Sequence, residues 1–218
     1  MKVTAITSRD NLLVQRLKKL TQTPGAYRKL EQLWLEGDHL CRAYLQRVGS
    51  EAVLDAVVSD SAWASGEHAE LLSKLPHVAV LADALWVQVS ALESSANVGF
   101  VVAAIEPPAI DATAPTVVLD RVQDAGNVGS ILRSASAFGF KQVLALQGTA
   151  ALWSPKVVRA GMGAHFGLRL VEGLQADDLA ALQVPVLATS SHAVSALGAV
   201  ALPWPCAWVL GHEGQGVA

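Results

Sequence analysis

Apolar positions along the chain fall into two rhythms. Short apolar runs at residues 33–35, 53–58, 78–81 and 98–105 have the length and composition of strands, while Leu40, Tyr44 and Val48, then Leu71, Leu72 and Leu75, recur at helical spacing between them. Ahead of these, residues 8–20 predict a capped helix. Polar Ser8 to Asn11 lead into Leu13, Leu17 and Leu20 at i, i+4 and i+7, with Arg16, Lys18 and Lys19 around the other face. Residues 106–115 (EPPAIDATAP) place three prolines among small residues, a composition suited to a linker and poor for either regular element. The alternation then resumes with strand 116–119, a helix near 127–138, strand 142–146, a helix from Ser154, strand 168–171, a helix near 177–182, and strands 184–188 and 206–210. Strands alternating with helices predict an α/β fold, and strands this apolar are expected to be buried on both faces of a parallel sheet covered by helices. The expected organisation is a first domain at 1–105, a linker at 106–115 and a second domain at 116–218.

Composition narrows the class. Hydrophobic residues make up 52% of the 218 and charged residues 16%, against roughly 25% charged in an average soluble domain, so the chain can bury a sizeable core and is neither disordered nor collagen-like. The net charge of -3 argues against a nucleic-acid partner until it is resolved by position. Residues 1–50 hold nine basic and four acidic side chains, 51–110 one and eight, and 111–218 six and seven. A basic front suits an acidic partner, although a solvated helix face produces the same excess. Cys41 and Cys206 lie far apart and outside any metal-ligand spacing, which indicates no disulfide framework and no metal site, and fits a reducing cytoplasm. The first twenty residues lack the apolar core of a signal peptide. Residues 194–211 are an uncharged stretch of 18, about the length of a membrane span, but Pro203 and Pro205 around Trp204 would break such a helix. A loop followed by a buried strand is expected instead, and no membrane partner.

Three loops carry candidate chemistry. The first, residues 119–139, passes from a strand through a glycine-bearing turn into a helix, with Ile131, Leu132, Ala135 and Phe138 as its expected buried stripe and Gly139 as its cap. Arg133, two residues past Ile131 and so about 200° around the helix, is expected to point away from the core. Asn127, at the helix start, can cap it or reach into the crevice at the strand ends; a capping Asn and a solvated Arg are the plain alternative. The second, residues 154–163, opens with Ser154 and Pro155, a strong helix start, and puts Lys156 and Arg159 on one face, which suits either a phosphate site or an ordinary surface helix. The third, residues 210–216, is a glycine turn after an apolar strand. Its glycines match neither a dinucleotide fingerprint nor a P-loop, although such a turn lets a ligand approach the backbone closely.

Taken together, the segments N127-V-G-S-I-L-R133, S154-P-K-V-V-R-A-G-M-G163 and L210-G-H-E-G-Q-G216 resemble, in order and spacing, the three signature motifs of the SpoU (TrmH-type) RNA ribose 2'-O-methyltransferases of the SPOUT superfamily. The stretch R28-K-L-E-Q-L-W-L-E36-G37 is similar to the hallmark of that family's substrate-binding domain. The resemblance implies an N-terminal domain like ribosomal protein L30e and a C-terminal α/β domain whose chain forms a trefoil knot in the family, a rare exception to unthreaded connections. It implies S-adenosylmethionine as cofactor, held at Thr189, Leu210, Gly211, His212, Glu213 and Gly214, and a homodimer paired through the catalytic domains. Structured RNA would be the substrate, with ribosomal RNA, and 23S rRNA first, ahead of tRNA.

Carried over, Arg133, Asn127 and Glu213 are the catalytic candidates. Arg133 would stabilise a developing alkoxide electrostatically, since a guanidinium is a poor proton acceptor, and Asn127 would orient Arg133 or the ribose. Arg28, Lys29, Lys156 and Arg159 would hold RNA, with the basic helix at residues 9–29 helping. Gly161 stands where the family usually has Ser, and His212 where Asn is usual; both are expected to be tolerated. The later motif segments beyond Ala218 are absent, so the sequence is expected to be a piece of a longer enzyme that binds the cofactor weakly or not at all by itself. A non-catalytic RNA-binding protein that kept the fold is the alternative, and an unrelated nucleotide-binding α/β enzyme a third.

Overall fold

The structure is a computed structural model that describes residues 1–90, 96–189 and 196–217. They divide into two compact units, Met1–Ile105 with Trp153–Phe166, and Glu106–Leu152 with Gly167–Ala218. In the first unit the chain runs β1 (Lys2–Ile6), α1 (Leu12–Gln22), α2 (Ala26–Leu30), β2 (Gln32–Glu36), α3 (Asp38–Arg47), β3 (Val53–Ser59), α4 (Asp60–Ser65), α5 (Ala69–Leu72), β4 (His77–Leu81), α6 (Asp83–Val89) and β5 (Val98–Ala103). Its sheet has the order β1-β4-β3-β5-β2, with β1, β4 and β3 parallel and β5 antiparallel to β3 and β2. The predicted basic helix is α1. Asn11 caps it by accepting the Leu13 N–H at 2.9 Å, and Leu13, Val14, Leu17 and Leu20 are buried. Part of its charge is spent within the unit: Arg16 pairs with Asp55, and Lys18 donates to Gln88 Oε1 at 2.7 Å.

The second helical motif starts as expected, with Ser154 at the cap and Pro155 at the first helical position, and spans Pro155–Gly161. It lies with the first unit, not with the rest of the 116–218 segment. Its buried Val157 and Val158 explain the placement, since an apolar pair goes where apolar surface is available to cover it, and a small cavity is lined by Val158, Pro155 and Arg159 with Trp34, Glu36 and Leu40. Phe166 meets Tyr44 edge to face at a ring distance of 5.3 Å.

The second unit contains β6 (Thr116–Leu119), α7 (Ala125–Ala137), β7 (Gln142–Leu146), β8 (Arg169–Leu174), β9 (Val186–Ala188) and β10 (Ala207–Leu210). All five strands are parallel, in the order β8-β7-β6-β10-β9, around a core of Val118, Leu144, Val171 and Val209. The fold is the expected α/β class. Residues 106–115 have no regular element, yet they are no free tether. The buried Gln142 amide accepts the Asp111 N–H at 2.8 Å and donates to the Asp111 carbonyl at 3.1 Å and Thr116 Oγ1 at 3.0 Å, while Ile110 packs on the core. The helix expected near 177–182 is a 3-10 turn at Ala176–Ala181, in which Asp178 reaches back to the Gln175 N–H at 2.7 Å and favours a tight cap over a propagated α-helix. Phe138, expected in the buried stripe of α7, is 76% exposed; the stripe is Val128, Gly129, Leu132 and Ala135, and the helix ends before Phe138 can turn inward. Among the described residues, no helix is long and apolar enough to cross a membrane.

Candidate active site

β6 and β10 lie side by side with Leu119 opposite Leu210, and the Asp120 N–H extends the ladder onto the Leu210 carbonyl at 2.9 Å. The loops that follow both strands therefore leave the sheet together at its carboxyl edge, where open parallel sheets hold ligands. On the other side of β10 lies β9, with Ala188 opposite Val209, so Thr189 and Gly211 emerge at that same edge. This convergence brings Thr189 and the 210–214 segment, the residues expected to hold S-adenosylmethionine, to one edge of the sheet.

The turn after β10 is closed by its own backbone. A Cβ on Gly211 would stand 2.2 Å from the Gly216 carbonyl carbon and 2.3 Å from the Val217 nitrogen, so only glycine allows the approach. His212 and Gly216 exchange both backbone hydrogen bonds, at 3.0 and 2.9 Å. Inside that ring, His212 Nδ1 accepts the N–H of Gly214 at 2.9 Å and of Gln215 at 3.2 Å. A ring nitrogen that accepts from two amides leaves the ring proton on Nε2, and it does here what an Asn carboxamide oxygen does in an Asx turn.

Glu213 points from this turn onto the start of α7. Its carboxylate accepts the Asn127 side-chain amide at 3.0 Å and the backbone N–H groups of Asp124 at 3.3 Å and Gln123 at 3.4 Å. The Asn127 hydrogen bond first, then the surrounding backbone N–H groups, hold the Glu213 carboxyl down to about 2. Glu213 is thus a fixed anion at neutral pH and a weak base. The helix cap is Asp124, whose Oδ1 accepts the Asn127 N–H at 2.7 Å, so Asn127 is not the cap and its amide is turned to Glu213. Arg133 is exposed on α7, six residues on, which puts it about 120° around and about 9 Å along the helix from Asn127. Asn127, expected to orient Arg133 or the ribose, gives its amide to Glu213 rather than to Arg133.

The remaining candidates lie in the first unit: Lys156 is exposed and Arg159 half-buried on the helix Pro155–Gly161, while Arg28 and Lys29 are exposed on α2 with the Arg28 guanidinium 5.0 Å from the Tyr27 ring centre. Sequence reasoning missed Asp120, Arg121, Asp124 and Gln215. Arg121 Nε and Nη2 donate to the two oxygens of buried Asp120 at 2.8 and 3.1 Å, and Nη1 to Gln215 Oε1 at 3.3 Å. The signal available was a charged pair directly after the apolar end of a strand, Val117 to Leu119.

Residues 114–218 match the profile of the SpoU rRNA Methylase family. Among curated proteins, the mitochondrial rRNA methyltransferase 3 of Xenopus tropicalis is 45% identical over 62 residues, which cover 28% of this chain and 15% of that protein. A 23S rRNA (guanosine(2553)-2'-O)-methyltransferase of Bacillus subtilis is 34% identical over 110 residues, 49% of this chain and 44% of that protein. Among solved structures, an RNA methyltransferase of the TrmH family from Porphyromonas gingivalis superposes with a TM-score of 0.78 at 25% identity, covering 94% of this chain and 81% of that one.

Proposed function

We propose that the chain carries the site of an S-adenosylmethionine-dependent RNA ribose 2'-O-methyltransferase acting on ribosomal RNA, 23S rRNA first and tRNA second. One observation carries the reading: Glu213 in the third motif grips Asn127 in the first, across 86 positions of sequence, at the carboxyl edge of β6 and β10. Motifs that were separate in sequence thus form one constellation. The relative from Bacillus subtilis, matched over about half of this chain, is named for 2'-O-methylation of 23S rRNA, which supports both the reaction and the substrate class.

When bound, the cofactor supplies an electrophilic methyl carbon. Thr189, Leu210, Gly211, His212, Glu213 and Gly214 would hold it, mostly through the backbone of a turn that is already closed in this structure. That methyl carbon would pass from the cofactor's sulfur to the ribose 2'-oxygen, whose proton would leave to a phosphate of the RNA or to water. Arg133, permanently charged and exposed, stabilises the oxyanion as it develops, and proximity of the two bound reactants supplies much of the rest. Glu213 and Asn127 keep the turn and the helix start in register. Residues 1–105, with Arg28 and Lys29, would bind the folded RNA, Lys156 and Arg159 would contact its phosphates, and the active form would be a homodimer.

The test is transfer of labelled methyl groups from S-adenosylmethionine to ribosomal RNA and tRNA transcripts, with the product mapped as linkages that resist alkaline hydrolysis. Arg133→Ala should cost about a hundredfold or more, the scale of losing one oxyanion stabiliser. Undiminished activity in Arg133→Ala would remove Arg133 from the site, and label found on a base would remove the ribose reaction.

A further inference from the structure

We propose that Arg121 is a positioning residue for this site, fastening the turn that carries Glu213 to the carboxyl end of β6. Three observations lead there. The Asp120–Arg121 pair is bidentate, Nε to Oδ1 at 2.8 Å and Nη2 to Oδ2 at 3.1 Å, which fixes the plane of the guanidinium against a carboxylate that is itself buried. With that plane fixed, Nη1 meets Gln215 Oε1 at 3.3 Å, so one side chain links residues 94 positions apart, the end of β6 and the turn 211–216. Finally, the Arg121 backbone is left-handed, with φ 57, a conformation that side-chain-bearing residues adopt at a cost of about 1 kcal/mol or more. Glycine would serve the backbone better at this position. What arginine adds is the fork.

The arrangement has a consequence for the site. The turn is held on one side by Glu213 gripping the start of α7 and on the other by Gln215 gripping Arg121, so that its ends cannot pivot about the strand. A planar fork with several donors can serve Asp120 and Gln215 together, whereas a lysine ammonium lacks that geometry.

Because glycine accepts φ 57, Arg121→Gly separates the two roles: it keeps the turn backbone and removes the guanidinium. Amide hydrogen exchange at His212 and Gly216 reads closure of the turn in this chain without reference to any reaction. It should accelerate about tenfold in Arg121→Gly, the loss expected for one charge-assisted hydrogen bond. Gln215→Ala, an exposed position, should accelerate it in the same direction, and Gln215→Glu, which keeps an acceptor, should restore it. The double variant should be no worse than Arg121→Gly alone. The kinetic arm rests on the proposed methyl transfer: KM for S-adenosylmethionine should rise about tenfold with kcat held within about twofold. Exchange and KM unchanged in Arg121→Gly, or additive losses in the double variant, would overturn the proposal. Fast exchange in Arg121→Gly from a chain that binds S-adenosylmethionine yet transfers no methyl group to RNA would sustain the clamp and overturn the methyltransferase reading instead.

Discussion

The carboxylate of Glu213 sits where three donors from the start of α7 converge, and that geometry dictates its pH behaviour. Its acidity is shifted from an ordinary 4.5 down to about 2, so the folded state holds the anion more firmly than the unfolded chain does. For a depressed carboxyl the stabilisation is complete above about 4.5 and is lost as the pH falls toward about 2. Glu213→Gln keeps an acceptor oxygen but has nothing to titrate. The melting temperature of the native chain should therefore exceed that of Glu213→Gln at neutral pH, and the gap should close on acidification between about 4.5 and 2. A gap independent of pH over that range would mean that the ionised form of Glu213 is not what the turn uses. The same geometry bears on chemistry. In the proposed reaction a carboxylate this weakly basic is expected to hold the turn rather than to accept the ribose proton.

At the scale of elements, the helix Pro155–Gly161 and the segment after it fit each other closely. A Cβ on Gly161 would stand 2.3 Å from His165 Cε1 and 2.6 Å from its Nδ1, and the His165 ring is buried and tilted against Trp153 at 5.1 Å. The imidazole fills the space that a serine at 161 would enter. Gly161→Ser should lower stability by about 1–3 kcal/mol through overpacking, while the same change in a His165→Ala background should cost much less. Thermal melts of the four variants decide it, and equal costs in both backgrounds would show that the neighbour yields freely. The pair also illustrates what could be read from sequence. Gly161 was visible as a departure from a motif, but the residue that compensates for it carried no signal, because the contact depends on where the following turn folds back. Buried strands were legible for the opposite reason: apart from their polar first residues, Thr116 and Gln142, β6 and β7 are apolar runs that composition picks out. β1 was not: Lys2 to Ala5 alternate polar and apolar, but the stretch is short and only Ile6 of its five residues is buried. Each site motif was legible by itself, whereas the grip of Glu213 on Asn127 and of Arg121 on Gln215 arises from two strands being neighbours, which local pattern does not encode.

Across the whole molecule, the division into units does not follow the chain. The proline-rich stretch at 106–115 suggested a clean cut, but its residues are hydrogen-bonded into the second unit, and residues 153–166 return to the first. The cause is apolar surface: Val157 and Val158 are buried, and Pro155 and Val158 line a cavity with Trp34 and Leu40 of the first unit. Burying two valine side chains is worth about 3–6 kcal/mol as an upper estimate, a large share of the stability of a unit this size. A fragment of residues 1–105 should therefore melt lower than the first unit does in the intact chain and bind a hydrophobic dye. A synthetic peptide of residues 153–166 added to it should raise the melting temperature and displace the dye in proportion to its concentration, as any ligand of the folded form must. The same peptide with Val157 and Val158 changed to serine should do neither. If the fragment melts as the intact unit does and ignores the peptide, the return of the helix is a matter of placement without energetic weight, and the motif it carries is free to act with the second half of the chain.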